Sequence, residues 1–92
     1  MNREAAEALA IEALAWLAKD EAAAGAFLAA AGAAPQDLRA RAAEPEFLGF
    51  VLDFLLSDEA RLIAFCREAG RPFEAPMRAR AALPGGDSPD WT

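Results

Sequence analysis

The sequence predicts an all-α protein, a compact six-helix bundle, and three observations carry that expectation. Twenty-six of the 92 residues are alanine, the best helix former. Only Ile11, Val51, Ile63 and Thr92 are β-branched, which leaves little to build strands from. The string LAKDEAAAGAF, from Leu17 to Phe27, returns as LLSDEARLIAF from Leu55 to Phe65. In both copies an aspartate stands before a helical stripe of apolar residues, where its carboxylate can accept from the free N–H groups of the first turn.

The first helix is predicted from Asn2 or Arg3 to Ala18. Leu9, Ala10, Ala13, Trp16 and Leu17 fall at helical spacing, and Ile11 and Leu14 widen the apolar face. Asp20 caps the second helix, whose stripe is Ala24, Phe27, Leu28 and Ala31 and whose stop is Gly32. Pro35 opens a short third helix that ends near Ala43, since proline is tolerated where a first-turn N–H has no partner. Pro45 opens the fourth, EFLGFVLDFLL, in which only Glu46 and Asp53 are charged. A helix apolar nearly all round is normally buried, so this one belongs at the centre. Ser57 or Asp58 caps the fifth helix, with the stripe Leu62, Phe65, Cys66 and Ala69 and a stop at Gly70. The sixth begins after Pro72, carries Pro76 in or near its first turn, and ends around Leu83. The remaining residues, 84–92, hold turn and breaker residues without periodicity, which predicts a disordered tail after a single domain over 1–83.

Residues 14–32 and 52–70 share nine identities in nineteen, three of them alanine. Chance supplies roughly one non-alanine match at ordinary residue frequencies of about 5%. The string RARAA also recurs, at 39–43 and 78–82. The pattern reads as a duplication of units of about 2–43 and 45–83. Two units are too few for a solenoid, so they are expected to pack on each other about a pseudo-twofold axis. In this reading the repeated Asp-Glu is structural. The aspartate closes a helix N-terminus, and the glutamate meets the positive end of the dipole.

The string FLGFVLDFLLSDEARLIAF, flanked by PQDLRARA before and RARAAL after, resembles a family of small bacterial proteins known as a domain of unknown function, number 3572. The resemblance covers about residues 9–84 and is strongest in VLDFLLSDE. It implies a compact all-helical fold of cytosolic proteins. It supplies no activity, no cofactor and no functional residues to carry over.

Composition narrows the chemistry. The formal net charge is −6, which suits a cytoplasmic protein and argues against general nucleic-acid binding, where Lys and Arg displace counterions. Arg3, Glu4, Glu7 and Glu12 interrupt any signal-peptide core. The longest apolar run spans about ten residues, about half of a membrane helix. Histidine and tyrosine are absent, and Cys66 is the one cysteine. On an apolar stripe and without a histidine partner, Cys66 reads as a small buried hydrophobe. Asp20/Glu21 and Asp58/Glu59 are accounted for as caps rather than metal ligands. Gly85–Gly86 precedes no helix, so no phosphate loop is present. No catalytic, cofactor or metal residue is therefore expected.

The expectation is a non-catalytic module that binds another protein, with a homodimer as one form of it. Six Phe and two Trp exceed what a small core is expected to hide. Trp16, Phe47, Phe50 and Phe73 are the candidate patch, and Trp91 in the tail is a candidate docking residue. Arg39, Arg71, Arg78 and Arg80 are candidates for an anion or an acidic partner. Residues 61–83 hold five Arg against Glu68 and Glu74, a local +3 that leaves −9 for the rest. The competing expectation for these arginines is ordinary i, i+4 pairing, Asp37 with Arg41 and Glu74 with Arg78. The alternative function is nucleic-acid binding by a helix-turn-helix-like pair in residues 58–83, with Arg71, Arg78 and Arg80 facing phosphate.

Overall fold

The computed structural model describes residues 1–84. Trp91 and the predicted tail beyond Pro84 lie outside the described residues. Among the described residues six α-helices form, α1 Arg3–Lys19, α2 Glu21–Ala31, α3 Leu38–Arg41, α4 Pro45–Leu56, α5 Glu59–Ala69 and α6 Ala75–Ala81, with a 3-10 turn at Pro35–Asp37 leading into α3. No strand forms among the described residues. The radius of gyration is 12.4 Å, close to the roughly 12 Å of a compact chain of this length.

The helix limits follow from local chemistry. Asn2 caps α1 by accepting from the Ala5 N–H. Asp20 accepts from the N–H groups of Ala22 and Ala23, and Asp58 from that of Arg61. Gly32 and Gly70 end α2 and α5 at φ 66° and 69°, a left-handed conformation that costs a residue with a Cβ about 1–2 kcal/mol. Past each glycine the chain folds back identically. Ala33 N–H donates to Leu28 C=O at 3.1 Å, and Arg71 N–H donates to Cys66 C=O at 2.9 Å.

The centre of the molecule is the contact between α1 and α4, with α6 packed on both. From α1 come Ala6, Leu9, Ala10, Ala13, Leu14 and Leu17; from α4 come Phe47, Leu48, Val51, Leu52 and Leu55, all buried. The central placement expected of the fourth helix holds. α2 and α5 each add a phenylalanine to this core. Phe27 of α2 and Phe65 of α5 are 1% and 0% exposed. Phe65 meets Trp16 of α1 edge-on, with centroids 5.6 Å apart at 70°, and Phe27 meets Phe54 of α4 at 5.3 Å and 74°. Exchanging positions 38 apart, 16 with 54 and 27 with 65, turns one of these contacts into the other. Phe27 also touches Phe47 and Phe50, so it anchors the larger aromatic cluster.

The two short helices α3 and α6 differ. α6 buries Ala75, Pro76 and Ala79, whereas no residue of α3 is buried. α3 rests mainly on the 3-10 turn before it.

Candidate functional site

Trp16 borders several shallow hollows in the surface. This residue is half-buried near the end of α1, its indole set edge-on against Phe65. A hollow of about 220 Å³ opens between α1 and α5, bounded by Trp16, Phe65, Glu12, Lys19 and Glu68. A second hollow, also walled by Trp16, lies between α2 and the start of α5, where Ala22, Ala23, Ala26 and Ala60 keep the floor low. Two ion pairs brace the first hollow. Lys19 Nζ stands 3.5 Å from Glu68 Oε1, and Arg71 Nε donates to Glu12 Oε1 at 2.7 Å. All four side chains are substantially exposed, so each pair contributes under about 1 kcal/mol. The rim charges therefore answer one another, and an apolar trough with neutralised edges remains.

The other members of the expected apolar patch do not share this surface equally. Phe47 is 3% exposed, which corrects its assignment to a partner-binding patch. It lies in the core against Phe27, with the Arg41 guanidinium 4.7 Å from its ring centre. Phe50 is half-buried against Phe27. Phe73 is 43% exposed, and Met77, Ile11 and Ile63 join it among the exposed apolar side chains.

The arginines divide in the same way. Arg71 and Arg80 are not free for an anion, because each is taken by a carboxylate of its own chain. Arg71 binds Glu12. Arg80 forms a two-pronged pair with Asp53, Nε to Oδ1 at 2.5 Å and Nη2 to Oδ2 at 3.1 Å, and its Nη1 donates to the Pro84 carbonyl at 3.0 Å. Gly49 makes room for this guanidinium, since a Cβ there would lie 2.8 Å from Nη1. Glycine inside a helix costs about 1 kcal/mol against alanine, and its presence in an otherwise apolar run was the available signal of a close approach. Arg39 and Arg78 are exposed and form no ion pair among the described residues. The expected i, i+4 pairs do not form among those residues. Asp37 instead accepts from the Ala34 N–H at the 3-10 turn, which leaves Arg41 to Glu44 at 3.3 Å. α6 rests on α1 and α4 rather than on α5, so residues 58–83 lack the mutual packing of a helix-turn-helix pair.

Cys66 is buried, and its thiol donates weakly to the Pro72 carbonyl at 3.6 Å. Burial pushes its pKa up, with nearby Arg71 opposing and Glu74 reinforcing the rise. A protonated, covered thiol is a poor nucleophile. Asp20 and Asp58 serve as caps, and the described residues hold no group of three or more potential metal ligands. No helix among them is long and apolar enough to cross a membrane.

The model of the family described as protein of unknown function (DUF3572) matches residues 3–86. The chain belongs to this family. The match takes in all six helices, α1 from its first residue included. No curated protein and no solved structure matches the chain.

Proposed function

We propose that this DUF3572 member is a non-catalytic helical module that binds another protein through the trough at Trp16. The observation that carries the reading is the setting of that tryptophan. It is half-exposed, set edge-on against Phe65, and flanked by two hollows, the second floored by alanines. Trp is enriched at energetic centres of interfaces, and a trough between helices suits the apolar face of an amphipathic helix. The rim charges of the first hollow are already paired within the chain, so the partner's contact face there is apolar rather than charged. The buried thiol and the capping carboxylates support the non-catalytic reading, and the net charge supports a cytoplasmic setting.

The test is capture by the tagged full chain, run in parallel with Trp16→Ala and Phe73→Ala. A stoichiometric protein retained by wild type and Phe73→Ala, and lost by Trp16→Ala, supports the trough. Its emission signature is a shift of Trp16 fluorescence on adding that protein in a Trp91→Phe background. Equal capture by Trp16→Ala, or salt-removable nucleic acid as the bound species, overturns the reading.

We also read the pairs α1–α2 and α4–α5 as descendants of one duplicated unit, arranged about a pseudo-twofold axis. Support comes from the matched glycine stops and from two aromatic contacts that a shift of 38 interchanges at nearly equal distance and angle.

A further inference from the structure

We draw no further inference here: the strongest candidate, the exposed face of α2 made by Ala22, Gly25, Ala26 and Ala29, is a stripe of small residues, and nothing in the structure shows what covers it.

Discussion

α3 and α6 carry the same RARA string after a proline-opened turn, and they play opposite parts. Ala79 of α6 is 0% exposed, while Ala40, its counterpart under a shift of 39, faces solvent. The Arg80 side chain is 17% exposed and that of Arg41 39%. The difference originates on other helices. α4 offers Gly49 and Asp53 to α6, while the matching positions of α1 are Ile11 and Ala15, which offer neither a notch nor a carboxylate. A short helix is thus made structural or peripheral by the surface that receives it.

The sharpest way to break the comparison is a buried charge. Ala79→Asp is expected to cost more than about 3 kcal/mol, because a carboxylate without a partner is poorly tolerated in a dry contact. Ala40→Asp is expected to stay within about 0.5 kcal/mol, as exposed changes usually do. Urea denaturation of both variants checks the pair.

Next in size is the arginine clip. Arg80→Ala is expected to cost about 1–2 kcal/mol, since a two-pronged arginine–carboxylate pair is stronger than a single contact, though the half-exposed Asp53 limits it. Arg41→Ala removes a surface pair and is expected to cost at most about 0.5 kcal/mol. Thermal unfolding at matched salt separates the two.

Gly49→Ala sharpens the same point through its sign. In the wild-type chain the new methyl displaces Arg80, and stability is expected to fall. In an Arg80→Ala background the substitution is expected to gain up to about 1 kcal/mol of helix propensity. A double-mutant cycle reads the reversal.

The smallest expected difference lies where the two halves agree. Gly32→Ala and Gly70→Ala each force a Cβ into a left-handed conformation and are expected to cost about 1 kcal/mol apiece, equal within error. Unequal losses would show that the two helix ends are not equivalent.

The features legible in the sequence were those fixed by nearby residues. Asp20, Gly32, Asp58 and Gly70 set helix ends from within a turn, so those limits could be read directly. The central position of α4 followed from its almost unbroken apolar surface. That same surface concealed which of its rings would be covered, so Phe47 was expected at a patch and lies in the core. The roles of Arg71 and Arg80 were illegible for a different reason. Their carboxylate partners stand 59 and 27 positions away, and no local pattern connects them. The unequal fates of α3 and α6 belong to the same class, because they are decided on α4.

Hydrogen exchange on the full chain tests that unequal fate most directly. The amides of Ala82 and Leu83, which donate to Arg78 and Arg80 carbonyls at the end of α6, are predicted to be protected well above those of Ala42 and Ala43 at the end of α3, since buried contacts raise the cost of local opening. Equal protection at the two ends would contradict the account, because it would mean that the α4 notch and Asp53 do not distinguish one helix from the other.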